Sequence, residues 1–476
     1  MFFLVAFPLV VAGAAMLVPS ARVRAWMVPA TAQIHAAVTA WVVIDVPAPM
    51  FESWLQLGPL GRVILGLLSA HYLVCSLYVP TYLAARAERP NRAFCACMIA
   101  LLGTMSLVPI SHHLGLMWVG IETSTLATAP LIYFNKTPRS LEAVWKYLLI
   151  GSVGVAFALF GSFFLASAAV HNGVDTSLLF EDLVRDAPRL SKPWLHSAFV
   201  VLLVGYGTKI GLAPMHTWKP DVYGEAPSVV GALLSGGMAT CAFCALLRFL
   251  QISNAAGEGE GDVARDLLLV FGLLSMAVAA AFMILQRDYK RMLAYSSVEH
   301  MGIIAIGLGL GGLGTYGALL HLINNSFGKA VMFLAAGNIH RACGSRLVTD
   351  TIGAIRRVPA SGALFLLGLF AVTGSPPFGM FLSELAILRA AFDGSYVVAA
   401  LVLVLLATAF VGMSSVVIKV VHGGPAGEVA REREPFLSIA PPLAALAVLL
   451  ALGIYLPDWL HGSLELATGF LEKGAL

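Results

Sequence analysis

The sequence predicts an all-α polytopic membrane protein. Of its 476 residues, 59% are hydrophobic and only 12% are charged, whereas soluble domains carry about 25% charged residues. Apolar runs of about 20 residues, the length of a membrane-spanning helix, recur from one end of the chain to the other. The polar segments between them are too short to form a soluble domain. We therefore expect lipid to surround most of the protein.

Applying the length of a spanning helix along the chain predicts about fourteen spans, numbered here from the N-terminus. The longest polar connection, 171–194, separates spans 6 and 7, and "GPAGEVAREREP" (424–435) is predicted to be a solvated loop after span 13. The predicted spans are 1–19, 28–48, 60–84, 93–110, 113–134, 144–170, 195–213, 226–250, 266–286, 291–311, 315–339, 361–391, 396–421 and 436–458.

Two of the predicted spans contain residues that break a helix. Span 7 contains Gly211 and Pro214, and span 12 contains "VTGSPPFGMFLSEL", with Gly374, Pro376 and Pro377. Proline lacks the backbone N–H that a helix interior needs. Broken helices at matching positions of two halves are typical of inverted-repeat transporters. The sequence thus predicts two inverted five-helix repeats, formed by spans 4–8 and 9–13.

The repeats divide the chain into four parts. The predicted parts are 1–92 with spans 1–3, 93–250 with the first repeat, 251–422 with the second repeat, and 423–476 with a loop, span 14 and the C-terminal tail. Lysines and arginines concentrate in the odd-numbered loops, by seventeen to five, when Lys219 and Lys290 are counted as loop residues. Short cytoplasmic loops are rich in these residues. We expect a bacterial-type inner membrane protein with both termini on the periplasmic or outer side.

Several ionisable residues lie inside the apolar runs. A charge at mid-bilayer costs at least about 2.5–3.5 kcal/mol, so such a residue usually has a role. Glu122, Lys209 and Glu384 lie near the interrupted spans, and this favours function over packing. The other candidates are His216, Lys290, His300, His321 and Lys329.

For these other candidates a structural role stays open. A single histidine in a membrane helix often only makes a packing hydrogen bond, and Lys290, between Arg287 and Arg291, equally fits a cytoplasmic anchor. The chemistry of the first group fits proton transfer. A Glu122–Lys209 pair would stabilise both charges, and its separation would release a proton from the lysine. The break in span 7 would supply free carbonyl groups and space for water.

Four stretches carry a resemblance to a known family. "KIGLAPMHTWKPDVYGEAP", "QRDYKRMLAYSSVEHMG", "HLINNSFGKAVMFLAAGNI" and "GSPPFGMFLSE" resemble the antiporter-like subunits shared by respiratory complex I, group 4 membrane-bound hydrogenases and multisubunit sodium/proton antiporters. The resemblance covers roughly residues 95–420. The segment "SSVEHMG" is most similar to the F-type subunit of hydrogenase-4.

The resemblance assigns roles to individual residues. It implies that Glu122 is the glutamate of the family's fifth helix and Lys209 the lysine of its seventh helix. His300 and His321 match the histidines of the tenth and eleventh helices. Glu384 lies where the complex I M-type subunit has glutamate and the other types have lysine. The family fold, with fourteen helices and outer termini, agrees with the spans predicted above.

The sequence departs from the family pattern in the middle of the expected path. The eighth helix of the family commonly carries a lysine or histidine, but residues 226–247 contain neither, and Thr240 falls near that position. Asn325 stands where a second histidine of the eleventh helix is often found. The central path would then depend on Lys290, His300, His321 and water. We expect no long lateral helix after span 14.

These observations predict a proton-translocating subunit of a redox-driven complex, hydrogenase-4-like, formate-hydrogenlyase-like or complex-I-like. The chain has no cysteine cluster for iron–sulfur and no glycine-rich nucleotide loop. We therefore expect no cofactor and no metal in this chain, which would be a non-redox subunit of a membrane-bound oxidoreductase. The resemblance implies other membrane subunits and a peripheral redox arm as partners, with iron–sulfur clusters, Ni–Fe or flavin. We expect no nucleic-acid partner.

Other functions stay open. One alternative is a subunit of a monovalent cation/proton antiporter, with Na+ as the exchanged ion and no redox partners. Another is a structural membrane subunit that does not conduct, which the missing base near Thr240 and the presence of Asn325 favour. The retention of Glu122, Lys209 and Glu384 argues against the second alternative. A relative that moves an uncharged substrate, such as an inorganic-carbon uptake subunit, is a further alternative.

Overall fold

The computed structural model describes residues 1–174, 177–257, 259–284, 286–424 and 430–473. The predicted loop 424–435 and the C-terminal tail therefore lie partly outside the described residues. Within the described residues the chain forms twenty α-helices and no β-strand longer than an isolated bridge. The helices are α1 (Phe2–Leu17), α2 (Ala21–Ile44), α3 (Pro59–Ala84), α4 (Arg92–Ile110), α5 (Leu114–Ile132), α6 (Pro138–His171), α7 (Phe180–Asp186), α8 (Lys192–Ile210), α9 (Lys219–Glu225), α10 (Ser228–Leu233), α11 (Ala239–Ala255), α12 (Glu260–Met283), α13 (Tyr289–Leu310), α14 (Leu313–Cys343), α15 (Ala354–Arg357), α16 (Pro359–Val372), α17 (Gly379–Gly394), α18 (Tyr396–His422), α19 (Phe436–Ile454) and α20 (Asp458–Lys473).

The prediction of an all-α polytopic membrane protein is confirmed. In the described part of the chain, nine helices are long and apolar enough to cross a membrane, and α1 and α16 are shorter apolar helices. The figure of fourteen spans stays a prediction. The most buried of the nine, Ser228–Ala255, combines α10 and α11 and lies at the centre of the bundle, because its whole apolar window is buried.

Both predicted helix breaks are present. Helix α8 ends at Ile210, where Gly211 adopts a φ of +78°, a left-handed conformation that favours glycine. The chain then turns back into the bundle as α9. Helices α16 and α17 are separated by a second break in which Gly374 has a φ of +65°. Whether the two breaks are related by an inverted repeat stays a prediction, as do the four parts of the chain.

A π-helical turn at Leu234–Met238, "LSGGM", was not predicted. Its two glycines allow neighbouring side chains to approach the backbone. A Cβ at Gly236 would lie 2.6 Å from the ring of His71, and one at Gly237 would lie 3.1 Å from the sulfur of Met105. π-helical turns of this kind occur frequently at functional sites, because they widen the helix and change its hydrogen bonding.

The even-numbered and the odd-numbered predicted loops lie at opposite ends of the bundle. At one end, the amide of His112 donates to the carbonyl of Trp54 at 2.8 Å, and the amide of Phe180 donates to the carbonyl of His112 at 2.9 Å. These contacts join three even-numbered predicted loops, and we call this the even-loop end. At the other end, the odd-loop end, the side chain of Asn135 donates to the carbonyl of Glu225 at 3.1 Å. The charge distribution predicts that the odd-loop end faces the cytoplasm.

Helix α20 was not predicted. It folds back over the even-loop end and packs against α3, α11 and α14. Its Glu472 carboxylate pairs with Arg265 on α12 and accepts a hydrogen bond from the hydroxyl of Thr315 on α14. The amide of Gln251 on α11 donates to a backbone carbonyl of α20 at 3.2 Å. The last described helix therefore ties several helices together.

Candidate functional site

A buried ion pair joins α5 to the end of α8. The Nζ atom of Lys209 lies 3.8 Å from Oε2 of Glu122, and the two side chains are 4% and 21% exposed. Lys209 also donates a hydrogen bond of 2.7 Å to the hydroxyl of Thr125. The sequence predicted this pair. The 3.8 Å separation is longer than a hydrogen bond, so Thr125 rather than Glu122 holds the ammonium group directly.

The space for Lys209 is created by the adjoining helix α6. A Cβ added at Gly151 would lie 2.9 Å from Nζ of Lys209, so this glycine leaves room for the ammonium group. The ring centroid of Tyr147, one turn earlier on α6, lies 5.8 Å from the same atom. An aromatic face at this distance attracts a cation. Sequence reasoning did not identify Gly151 or Tyr147, because neither residue is charged.

A second buried lysine, Lys219, was assigned wrongly from the sequence. We counted it among the basic residues of a cytoplasmic loop, but it is 0% exposed in the structure. Its Nζ atom donates to the hydroxyl of Ser297 at 3.2 Å and lies 5.8 Å from the ring centroid of Tyr223. The break after α8 returns the chain to the interior, so the first residue of α9 is inside. Gly211 makes room for it, since a Cβ there would lie 2.3 Å from Cε of Lys219.

A third lysine lies beside the same part of α13. Lys329, on α14, is fully buried and donates to the hydroxyl of Ser296 at 2.7 Å. Adjacent serines of the "AYSS" segment thus accept hydrogen bonds from lysines of two different helices. Glu299, one turn further along α13, is also buried and interacts electrostatically with Lys329. Glu299 belongs to the "SSVEHMG" segment that carries the resemblance, but it is not among the residues predicted for the path.

Two histidines form a direct contact between α13 and α14. Nδ1 of His300 lies 3.0 Å from Nε2 of His321, and Nδ1 of His321 lies 3.0 Å from the hydroxyl of Ser383 on α17. Both rings are buried, with 1% and 0% exposure. Such a chain of ring nitrogens and a hydroxyl can pass a proton, because each member both donates and accepts.

Glu384, on α17, adjoins the two histidines. Its carboxylate and the nitrogens of His300 and His321 all lie within 4.8 Å of one another, an arrangement that could hold a metal ion. We had expected no metal. The break before α17 makes room for the carboxylate, since a Cβ at Gly374 would lie 1.9 Å from its Oε2. Oε1 of Glu384 is buried without a hydrogen-bond partner among the described residues.

The remaining predicted residues lie at the edges of this path. Lys290 is 2% exposed, so it is not a surface anchor, and its Nζ donates to the carbonyl of Ala226 at 2.6 Å. It lines a cavity of about 290 Å³ at the odd-loop end. His216 lies in the break after α8, with its ring centroid 6.4 Å from that of Tyr295. Within the described structure, no hydrogen bond, ion pair or ring contact joins the His216 side chain to the other predicted residues.

The centre of the bundle contains neutral polar groups where the resemblance leads us to expect a base. The hydroxyl of Thr240 donates to the carbonyl of Gly236 in its own helix at 2.6 Å. The same carbonyl accepts a hydrogen bond of 3.0 Å from the hydroxyl of Ser326 on α14. Both polar atoms of the Asn325 side chain are buried without partners among the described residues. His71, which the sequence analysis missed, lies nearby and contacts the carbonyl of Ala232 at 3.1 Å.

A larger charged cavity opens at the odd-loop end. It has a volume of about 540 Å³. Asp221, on α9, pairs there with both Lys146 and Arg291, at 2.7 and 2.8 Å. Because Lys219 lies two residues away on the same short helix, this cavity approaches the buried path from the odd-loop end.

The fold and this path define a class of protein: a helical membrane protein with lysines, histidines and carboxylates held inside its bundle. A sequence model of the NADH:quinone oxidoreductase/Mrp antiporter family, transmembrane part, matches residues 111–410, and the chain belongs to this family. The family resemblance expected from the motifs is confirmed.

Two relatives place the chain within the family, and one solved structure shares its fold. It is 37% identical over 362 residues to "Hydrogenase-4 component F homolog" of Methylacidiphilum infernorum (isolate V4), covering 75% of both chains. It is 31% identical over 356 residues to "NADH-quinone oxidoreductase subunit N" of Desulforudis audaxviator (strain MP104C), covering 74% of this chain and 69% of the relative. One chain of the membrane-bound sulfane sulfur reductase, an archaeal respiratory membrane complex, superposes with a TM-score of 0.89 at 21% identity, over 99% of this chain and 97% of that chain.

The protein is thus an antiporter-like membrane subunit of the complex I and hydrogenase-4 family. The two named relatives are a component and a subunit of larger assemblies. The structural match, at this low identity, supports the fold alone. The names of these two relatives agree with the membrane subunits that the motifs lead us to expect as partners.

Proposed function

We propose that this chain translocates protons across the bacterial inner membrane as part of a redox-driven complex, of the hydrogenase-4 or complex I type. The observation that carries the proposal is the pair formed by Glu122 and Lys209 at 3.8 Å, beside the break that follows α8. A buried carboxylate and a buried lysine stabilise each other's charge, so a change in their separation alters how firmly the lysine holds its proton.

The proposed route leads from this pair to two further lysines, which donate hydrogen bonds to serines of α13. From there it continues to the two histidines. Lys219 and Lys329 contact adjacent hydroxyls, those of Ser297 and Ser296. Hydroxyl groups both donate and accept hydrogen bonds, so the serines can relay a proton between the two amines. Water is needed wherever these groups are not in direct contact. His300 and His321 then carry the proton toward Glu384.

The chemistry of the path supports protons over Na+. Hard cations such as Na+ prefer oxygen ligands, whereas the described path is rich in amines and imidazoles. Three buried lysines would repel a metal cation while charged. We assign electron transfer to partner subunits of a peripheral arm, with iron–sulfur, Ni–Fe or flavin groups, since the sequence carries no motif for any of them. We also propose that both termini of the chain face the periplasmic or outer side of the membrane.

The first test is to purify the tagged protein in mild detergent and identify the subunits that co-purify by mass spectrometry. Hydrogenase-like or complex-I-like peripheral subunits support the proposal, whereas small antiporter subunits alone would favour cation exchange. The purified complex, reconstituted in vesicles, is then assayed for proton uptake with a pH-sensitive dye. Lys209→Ala should abolish proton uptake while assembly persists.

The matched control for this variant is Lys136→Ala, because Lys136 is exposed in the connection after α5. Normal proton uptake by the assembled Lys209→Ala complex would refute the proposed mechanism. If the wild-type complex carries out electron transfer without any proton uptake, the chain is a structural subunit, and the neutral centre around Thr240 and Asn325 would explain why.

A further inference from the structure

A buried cation outside the proposed path has no counterion among the described residues. Arg248, near the end of α11, is 2% exposed. Neither Nη atom has a hydrogen-bond partner among the described residues, although each is buried. Arginine stays protonated in proteins, and a buried charge that lacks a partner is costly. Within the described structure, the two Nη atoms of Arg248 are therefore left free to donate to an added group.

The guanidinium lines a cavity of about 230 Å³ at the even-loop end. This volume is several times the share of one water molecule in the liquid, about 30 Å³. The cavity is formed by the connection between α4 and α5, by α7, and by the ends of α11 and α20. Its other lining residues are His112, Phe180, Glu181, Val184, Arg185, Gln251 and Phe470.

A helix N-terminus adds to the positive potential at this cavity. A Cβ at Gly58, the N-cap of α3, would lie 3.8 Å from Nη2 of Arg248 and 3.9 Å from Nε2 of His112. No side chain caps this helix. The free N–H groups and the positive end of a helix dipole attract anions. Arg248 thus lies beside the start of α3, although Pro59, the first residue of that helix, has no N–H to donate.

The other walls of the cavity provide a further hydrogen-bond donor and aromatic surface. The ring of Phe180 lies 5.6 Å from the guanidinium carbon of Arg248, and that of Phe470 lies 5.2 Å from it. Both ring nitrogens of His112 lack partners among the described residues. The pKa of His112 falls to about 3, first because burial penalises the charged ring and second because Arg248 is positive. The ring is therefore neutral at pH 7 and keeps one N–H to donate.

The acidic residues near the cavity do not neutralise Arg248. Glu181 lines it but forms no ion pair with Arg248 in the described structure. Asp182 is paired with the exposed Arg185 at 2.7 Å. No carboxylate of the described chain therefore balances Arg248, and the two aromatic rings provide its only described cation–π contacts.

We propose that this cavity binds a phosphate group, with Arg248 as its main ligand. The planar fork of a guanidinium matches the oxygens of a phosphate and donates two parallel hydrogen bonds to them. The aromatic rings and Val184 suit the apolar part of an amphiphile. The phosphate can belong to a lipid headgroup at the membrane edge or to free inorganic phosphate. The site is separate from the proton path and does not depend on the proposed function.

The test uses the full chain, purified in mild detergent and freed of co-purifying lipid. Its Tm is measured with added phosphatidylglycerol, with diacylglycerol, which has no phosphate, and with inorganic phosphate against chloride at equal ionic strength. A ligand that binds only the folded state raises Tm in a saturable manner. A rise with phosphatidylglycerol alone identifies a lipid site, and a rise with inorganic phosphate identifies a site for the free anion.

Arg248→Met should abolish the rise, whereas Arg189→Met, at an exposed arginine of the connection between α6 and α8, should retain it. Val184→Phe serves as a second variant, because it fills the cavity and leaves the guanidinium in place. If Arg248→Met does not fold, loss of the rise in Val184→Phe supports the site. The proposal is overturned if no phosphate-containing ligand raises the Tm of the wild type, or if a folded Arg248→Met or Val184→Phe protein responds like the wild type.

Discussion

The ammonium group of Lys219 donates to the hydroxyl of Ser297 at 3.2 Å, in a part of the bundle where the lysine has no exposed surface. The neighbouring Ser296 accepts from Lys329 in the same manner. Two positive side chains, from α9 and α14, therefore end on successive residues of α13. This arrangement links the first helix break to the centre of the protein.

Replacement of Lys219 by leucine tests this link. Leucine fills much of the same space, and removal of a buried charge by an apolar side chain is often tolerated. We expect the complex to assemble and proton uptake in vesicles to fall by at least about tenfold, since a hydrogen bond to a charged group contributes roughly 1.5–3 kcal/mol. Lys136→Leu, at an exposed lysine, is the matched control. Full uptake with Lys219→Leu would remove this residue from the path.

Gly151→Ala should disturb Lys209 without unfolding the protein. The added Cβ would lie 2.9 Å from Nζ of Lys209, and the flexible end of the lysine can move away. The hydrogen bond to Thr125 would then be lost. Alanine is also favoured over glycine inside a helix by about 1 kcal/mol, so Tm should not fall.

We expect proton uptake to decrease about tenfold in Gly151→Ala, measured beside Gly66→Ala. Gly66, on α3, has no atom within 4 Å of an added Cβ and should behave as the wild type. Equal uptake in the two variants would show that the position of the Lys209 ammonium does not control transfer.

Asn325→Leu separates packing from conduction at the centre of the bundle. Both polar atoms of Asn325 are buried without partners in the described structure, and such groups cost about 1–3 kcal/mol. Leucine should therefore keep or raise Tm. If the amide binds water in the path, proton uptake should fall even though the protein is more stable. A lower Tm with unchanged uptake would instead indicate a packing role.

Glu384→Gln tests the far end of the path. Glutamine has nearly the same shape but cannot release a proton at neutral pH, so assembly should persist and coupled proton uptake should be lost. Glu465→Gln, at an exposed glutamate of α20, is the control. An unchanged ratio of protons to electrons in Glu384→Gln would contradict a role in proton release or loading.

The sequence predicted the class of fold and part of the site for physical reasons. Long apolar runs have few structures available in lipid other than helices, and charges such as Glu122 and Lys209 stand out within them. Lys219 could not be recognised in this way, because a lysine after a proline break resembles a loop residue until the return of α9 is known. The sequence did contain a signal that Lys219 is buried, because "HTWKPD" (216–221) lies between two apolar segments.

Other features had weaker signals. The π-helical turn depends on how Gly236 and Gly237 pack against other helices, and glycine alone does not predict it. Helix α20 was missed because its residues alternate between polar and apolar within one turn, and a search for continuous apolar runs passes over such a helix. His71 and Asn325 gain meaning only from the neighbours that the fold brings to them.

The position of α20 constrains how this protein can move. Through Glu472 it is attached to α12 and α14, and it also packs against α3 and α11. Because α20 contacts helices of both predicted halves, it keeps the distance between the halves constant at the even-loop end. Any rocking of one half against the other must then pivot there and have its largest amplitude at the opposite end. That end contains the 540 Å³ and 290 Å³ cavities, so the pivot directs the motion to the side from which the cavities approach Lys219 and Lys290.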